Sequence, residues 1–312
     1  MKRLENEAME GFLGTSRKKA DGPALEESRL AYYKNLLKNK SMITEMEFNR
    51  AEKSEGLYAK DEDITVFLPA SEMFIRRSDG KEYYVDSTNL NRKYNVLVKK
   101  VDEGKKLVTV SFNDAKALAR PKIVEQIDDM LASGEKPVVP AIVRALPVYP
   151  EQDRCIAAFL DIYGVGIGGK LHFDSWLDTD VTDLRDFLSH GDTVEVAILK
   201  RAGSLEEGTP IYKCSHRMLA TKISDLEKDG MKKDSGIIVR AINCPTDKDY
   251  FLATLEGYDD VTVSCYYPDD YQIVPGKRYR AYVSHIDSEK RRLRGKLVSK
   301  TEQKKFLGEG EI

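Results

Sequence analysis

A chain of 312 residues is longer than one ordinary core requires, so two or three consecutive domains are expected. Its 41% hydrophobic content excludes a mainly disordered polymer, and no apolar run reaches membrane-spanning length. Fifty basic against fifty-two acidic residues, a net charge of −2, argue against a coat for duplex DNA held by phosphate contacts; they argue less against a single-strand binder held by base stacking.

The opening MKRLENEAMEGFLG has one basic cluster and no hydrophobic segment, so it does not read as a secretory signal, and a cytoplasmic setting is expected. The four cysteines, Cys155, Cys214, Cys244 and Cys265, form no CxxC pair. A reducing compartment and burial in strands suit them better than a zinc ribbon or a redox motif.

Residues 1–41 read as a tail and a short amphipathic helix. Arg17 to Gly22, closed by Gly22-Pro23, is a link. Leu25, Leu30, Tyr33, Leu36 and Leu37 then recur near helical spacing and predict a helix from about Ala24 to Lys38. Its apolar face is expected to pack on the first barrel, with a docking arm for a protein partner as the alternative.

From Met42 the pattern becomes strand-like. MITEMEFNRAE alternates around Ile43, Met46 and Phe48, and ITVFLPASEMF opens with a β-rich run. NVLVKKV and KLVTVSF flank Asp102-Glu103-Gly104-Lys105, a hairpin turn. Residues 42–112 therefore predict a small barrel. Over 113–135, Ile123, Val124, Ile127, Met130 and Leu131 share one helical face and Gly134 supplies a stop, which predicts a linker helix.

A second β-rich block, 136–219, holds VVPAIVRAL, CIAAFLDIYG, GKLHFDSW and the pair TVEVAILKR and PIYKCSHRML around a glycine-containing loop. A polar helical linker covers 220–234. The third block, 235–300, holds GIIVRAI, DYFLATLEG, VTVSCYY, RYRAYVSHI and RRLRGKLV, the last two flanking Asp287-Ser288-Glu289-Lys290. Residues 301–312 read as a mobile acidic tail. The blocks share one order: a strand, an apolar-aromatic hairpin, a variable middle, a closing hairpin. The expected fold class is all-β with connecting helices, three tandem five-stranded barrels of the OB type.

VFLPASEM followed by YNVLVKKVDEGKKLVTVSFNDA closely resembles the RNA-binding S-one domain, the repeat of the largest small-subunit ribosomal protein in bacteria, also found in RNA-degrading enzymes. The second block resembles it in AAFLDIYGVGIGGKLHFDSW and in GDTVEVAILKR with YKCSHRML. The third does so through GKRYRAYVSHIDSEKRRLRGKLV. Three departures stand out. GLYAKDED replaces a glycine-rich aromatic second strand in the first block, the second has an enlarged final loop, and CYYPDDY stands in the third where a "G.LH.SE" phrase belongs.

The resemblance implies that strands two and three of each barrel face a single strand, with aromatic rings stacking bases and basic residues meeting phosphates. The candidates it implies are Tyr58, Phe159 and Tyr250 or Phe251 on second strands, and His172 beside Phe173 at a third strand. Basic candidates in the closing hairpins are Lys99, Lys100, Lys200, Arg201, Arg217, Arg278, Arg280, Arg292 and Arg294. The bland reading is a core position for each aromatic and a solvated charge for each cation. RYRAY in particular is what an ordinary exposed strand looks like.

Catalytic readings find little support. GVGIGGK satisfies GxGxxG and GxxxxGK spacings, but LHFDSW after it is strand-like, and Leu171 stands where a phosphate loop needs Ser or Thr. The four histidines form no HxH or HExxH pattern, and no serine sits in a GxSxG elbow. Asp128-Asp129 and Asp259-Asp260 read as solvated charge in a helix and a turn. No catalytic residue, metal or cofactor is expected. The expectation is a non-catalytic binder of single-stranded RNA in translation or RNA metabolism, with single-stranded DNA as a second polymer. The rival is a protein-interaction or structural adaptor whose RNA binding has eroded.

Overall fold

The computed structural model describes residues 1–3, 29–52, 55–73, 90, 93–149, 151, 153–204, 208–243, 249–267 and 272–307. The link at 17–22, the start of the first predicted helix, the centre of the loop at 205–207, Cys244 and residues 308–312 lie outside them. The chain is mostly β and forms two compact units. The first comprises Met1–Ile142, Asp161–Gly168 and Ser204–Pro210, and the second comprises Val143–Leu160, Gly169–Gly203 and Ile211–Ile312.

In the first unit, β1 (Lys2–Arg3) pairs in parallel with Pro137 and Val138. Helix α1 (Arg29–Asn39) packs on the barrel, as its apolar spacing predicts. Tyr33 is 2% exposed, and its hydroxyl donates to Asp61 Oδ2 at 2.7 Å, while Arg29 Nε lies 3.1 Å from Glu62 Oε1. Burial pushes the Tyr33 phenol well above its ordinary range, and the bond to Asp61 adds to that.

The first barrel starts with one strand broken at Phe48-Asn49 into β2 (Met42–Glu47) and β3 (Arg50–Glu52). It continues through β4 (Gly56–Asp61), β5 (Ile64–Pro69), the turn α2 (Ala70–Met73), β6 (Lys93–Asp102) and β7 (Leu107–Ser111). The order is β2-β6-β7-β5-β4-β3, so the two halves of the broken strand pair at opposite ends of the sheet and close it. Among the described residues of this barrel, only β5 and β7 run parallel. Alternate residues Ile64, Val66 and Leu68 are buried and the intervening ones face out, the period-two pattern that places side chains on two sides of a strand. Gly56 permits the close pairing of β4 with β5. A Cβ there would stand 2.1 Å from the Leu68 carbonyl oxygen.

Helix α3 (Phe112–Ala132) follows at once. Ser111 Oγ caps it by accepting the Asp114 amide at 2.9 Å, and Gly134, at φ +80°, ends it while the Glu135 amide reaches the Met130 carbonyl. Ile123 and Ile127 are fully buried. The next five strands are β8 (Pro137–Ala145), β9 (Ala157–Ile162), β10 (Ile167–His172), β11 (Thr193–Ser204) and β12 (Pro210–Ser215). They pair in the order β8-β11-β12-β10-β9, and β8 also pairs β9.

Helix α4 (Ile223–Lys228) leads to a closed barrel of β13 (Gly236–Asn243), β14 (Tyr250–Leu255), β15 (Tyr258–Tyr266), β16 (Arg278–Asp287) and β17 (Arg292–Leu297). Again, among the described residues, only the third and fifth strands, β15 and β17, run parallel. The closing hairpins of the first and third barrels share one turn. Asp102 Oδ1 accepts the Lys105 amide and Asp287 Oδ1 the Lys290 amide, and Lys106 and Arg291 follow at φ 47° and 55°.

Residues 301–307 of the expected mobile tail belong to helix α5 (Lys300–Leu307). Ser299 and Glu302 form a reciprocal cap, and the Gln303 side chain, 1% exposed, accepts the Arg280 amide at 2.9 Å and donates to the Arg280 carbonyl at 2.5 Å. This amide pairing fastens the helix to β16.

The third barrel buries Phe251, Val239, Val261, Val263, Cys265 and Val283. Cys214 and Cys265 lie in strands, and burial pushes their thiols up to about 12, which makes them packing groups. Cys155 is also buried, just ahead of β9. Gly295 stands opposite Cys265 in the parallel pair, and a Cβ there would meet Cys265 Sγ at 2.8 Å and Val263 Cγ1 at 3.3 Å. We expect Gly295→Ala to destabilise the second unit by about 1–3 kcal/mol through overpacking. Adding Cys265→Ala, which removes the nearest obstructing atom, should recover part of that loss. Urea unfolding checks both variants; a Gly295→Ala protein as stable as the wild type would contradict this account of the barrel core.

Candidate nucleic-acid interface

The outward side of the second and third strands differs from barrel to barrel. In the first, Tyr58 on β4 and Phe67 on β5 are direct cross-strand partners, both half-buried. Their rings stack with centroids 4.5 Å apart and planes 22° apart. The Arg50 guanidinium lies 4.5 Å from the Tyr58 ring centre, and the Tyr58 hydroxyl donates to Glu55 at 3.0 Å. Phe67 was not among the predicted site residues, although it is the aromatic of the VFLPASEM phrase. Alternation with buried Val66 and Leu68 is the signal that places it outside. Lys99 is exposed but bonds to Glu72 and lies 3.9 Å from Asp114. Lys100, beside it, is exposed.

In the second barrel, Phe159 is 41% exposed between buried Ala158 and Leu160 on β9. Lys170 and His172 face outward on β10, the strand next to it. The His172 ring lies 4.7 Å from Phe173, and its Nδ1 is 2.8 Å from Asp174 Oδ1. Burial alone would raise the Asp174 carboxyl, but the hydrogen bond and charge of His172 and the Ser175 hydroxyl outweigh it and hold it below the usual range. Arg217 Nη1 donates to the Asp174 carbonyl at 2.8 Å, which joins it to the same cluster. Alongside, His216 stacks on Trp176 at 4.3 Å and its Nδ1 contacts the Glu195 carbonyl at 2.7 Å.

Lys200 and Arg201 do not join this cluster. They lie five and six residues beyond Glu195 on extended β11, roughly 17–20 Å away at the rise of a strand. Of GVGIGGK, Gly164 to Gly166 fold as the turn between β9 and β10, with both glycines at positive φ, and Ile167 to Lys170 already belong to β10. The glycines therefore open a strand, without the helix start that phosphate loops use.

The third barrel corrects several expectations. Phe251 is fully buried in the core, because Phe251, Ala253 and Leu255 form the inward side of β14. Tyr250 faces outward and pairs across the strands with Tyr266, rings 5.9 Å apart. The middle of this face is closed. Thr262 on β15 is 1% exposed, its amide and hydroxyl bond to Thr179 Oγ1 at 2.9 and 2.6 Å, and its hydroxyl also donates to the Asp180 carbonyl at 2.8 Å. The covering segment, 178–186, lies between β10 and β11. Asp178 accepts the Ile223 amide and Asp186 accepts from the Asn243 side chain.

The RYRAY cations fare as ordinary strand charges. Arg278 makes a two-toothed pair with Glu256 at 2.6 and 2.7 Å, and Tyr279 alternates inward at 7% exposure. Arg280 is exposed, with its backbone held by Gln303. Arg292 and Arg294 act on Asp180. Asp260, read as a solvated turn charge, sits on β15 and accepts the Thr221 amide at 2.6 Å. Among the described residues, no group of three or more His, Cys, Asp or Glu could hold a metal ion, and no helix is long and apolar enough to cross a membrane.

No family model and no curated protein matches the chain. Among solved structures, the a/eIF2alpha-aDim2p-rRNA complex from Pyrococcus horikoshii OT3 is similar over 30% of this chain at 23% identity, with a TM-score of 0.22; the match spans 49% of that chain. A multidomain protein with nucleic acid binding domains from Streptococcus pneumoniae TIGR4 aligns over 83% of this chain and 73% of its own at 11% identity and a TM-score of 0.20. Drosophila Unr CSD456 aligns over 83% of this chain and 100% of its own at 11% identity and a TM-score of 0.17.

Asp186 gives this geometry a pH signature. Burial raises its pKa and nearby Asp183 adds to that, against the Asn243 bond and Arg185. A raised carboxylate penalises the folded state once ionised, so its penalty is full at neutral pH and fades as pH falls through the raised folded value. Asp186→Asn keeps an acceptor for Asn243 and should be more stable than wild type at pH 7. That advantage should shrink on acidification and vanish below about pH 3.9, the unfolded value. Urea midpoints across pH test this, and an advantage that grows toward acid would contradict it.

Proposed function

We propose that the chain is a non-catalytic binder of single-stranded RNA, acting in translation or RNA metabolism. The observation that carries this reading is the stacked Tyr58–Phe67 pair on the outward side of the second and third strands, with Arg50 over one ring. The exposed Phe159 and His172 stand on the corresponding strands of the second barrel, with the Phe173 ring beside His172 at the start of the following turn. Flat rings on an open barrel side suit unpaired bases, because every base offers a π face and stacking needs no sequence. Duplexes, whose faces are already stacked, would not use them.

The two barrels act additively through tethering. A strand held weakly on one is presented to the other at high effective concentration, so affinity rises with each open barrel even when each alone is weak. Single-stranded DNA competes for the same rings, with the phosphate contacts common to both polymers. The adaptor reading also has a specific observation behind it: segment 178–186 uses the third barrel's outward side as a protein-docking face.

Titration of a labelled oligouridylate separates the two. Tyr58→Ala with Phe67→Ala, and separately Phe159→Ala with His172→Ala, should each weaken binding by about 5- to 150-fold, the equivalent of about 1–3 kcal/mol for one lost base stack. Unchanged affinity in both folded double variants, or no salt-sensitive binding by the wild type, would defeat the RNA reading and favour the adaptor.

A further inference from the structure

We propose that Arg217, Lys222 and Arg291 form a phosphate-binding cleft that receives the backbone of the strand held by the second barrel. This deepens the RNA reading above and rests on it. A cleft of about 470 Å³ is lined by Asp178, Arg217, Met218, Lys222 and Arg291. Arg217 follows β12, Lys222 immediately precedes α4, and Arg291 occupies the turn between β16 and β17. Two stretches of the chain, the 217–222 connection and the hairpin turn at Arg291, thus bring cations to one opening.

The carboxylate that lines the cleft is already engaged. Asp178 is 13% exposed at its side chain, and its Oδ2 accepts the Ile223 amide at 3.2 Å, while Lys222 Nζ stands 4.0 Å from Oδ1. Lys222 also donates to the Arg217 carbonyl, and Arg217 spends one N–H on the Asp174 carbonyl. A guanidinium has five N–H donors and an ammonium three, so both cations keep donors beyond these bonds. Three cations line the opening against the one carboxylate of its lining; the Asp174 carboxylate near Arg217 and the Asp180 carboxylate near Arg291 offset part of that excess, and like charges gathered in a cleft focus a field that attracts an anion.

The cleft also continues the aromatic site. Arg217 bonds to the carbonyl of Asp174, the residue whose carboxylate orients His172. A nucleotide stacked at His172 and Phe173 therefore has its neighbouring phosphates directed toward Arg217, then toward Lys222 and Arg291. Because segment 178–186 closes the third barrel's own ring-bearing face, that barrel contributes to the path through Arg291 at its hairpin turn. Guanidinium groups suit this task, since their paired N–H donors match phosphate oxygens. A phosphodiester is the ligand assigned, and inorganic phosphate is the competing source of the same chemistry.

The test measures the salt dependence of oligouridylate binding for the wild type, Lys222→Ala, Arg291→Asn and the double variant. Asparagine suits position 291, where φ is 55°. Each lost phosphate contact on a single strand should reduce the slope of log K against log salt by about 0.7, or about threefold in affinity near 0.2 M salt. Lys222→Arg and Arg291→Lys should keep the slope, and Lys228→Ala, whose lysine pairs with Asp225 on α4, should leave it unchanged. Wild-type slopes in both charge-removing variants would overturn the cleft and leave the aromatic reading standing. Failure of the wild type to bind the oligonucleotide would overturn both. Millimolar inorganic phosphate that occupies the cleft without weakening oligonucleotide binding would also overturn the proposal.

Discussion

A five-stranded barrel is filled by its own side chains, so whatever it binds must sit on the residues that alternate with the core. In the third barrel the interior is closed by Phe251, Val263, Cys265 and Tyr279, to the point that Gly295 has no room for a methyl group. In the first, Val66 and Leu68 fill the core while Phe67 between them faces out. The parallel pairing of third and fifth strands, seen in both, sets which alternate residues meet on the outside. On the proposed reading, what covers one patch of outer wall therefore decides which barrels can bind. The first barrel leaves a stacked aromatic pair there and the second an exposed Phe159. The third has Thr262 sealed beneath Thr179.

The near-zero net charge is distributed as local pairs. Lys99 faces Glu72 and Asp114, Arg278 grips Glu256, and Arg185 holds Asp183 at 2.5 Å. Exposed pairs of this kind contribute little stability, but they cancel the field that a row of basic strand residues would otherwise project. Counting lysines and arginines along the hairpins therefore overstates the phosphate-binding surface. The excess that survives is small and placed where the 217–222 connection and the turn at Arg291 meet around Asp178.

Much of the architecture was legible because local signals agreed with one another. Asp102 and Asp287 mark the closing hairpins through the same side-chain-to-amide bond, and Ser111 and Gly134 bracket α3. The Ser299-x-x-Glu302 spacing announced a capped helix in a stretch read as a tail, a signal that acidic, glycine-containing composition masked. Tyr58 and Phe159 could be read as outward, whereas Tyr250 and Phe251 are adjacent, and which one faces the core depends on the register of β14 against β15. The contacts of 178–186 could not be read from sequence, because the partners of Asp178, Asp186 and Thr179, which are Ile223, Asn243 and Thr262, lie some 45–83 residues away and are chosen by packing alone.

The most direct measurement is a cross-linking map. An oligonucleotide carrying photoreactive 4-thiouridine would be irradiated on the intact protein and the adducts located by mass spectrometry. The account predicts adducts at the Tyr58–Phe67 pair and around Phe159 and His172, with none at Thr262, where the barrel wall is covered. Adducts scattered over paired surface lysines, or concentrated on the covered wall of the third barrel, would contradict it.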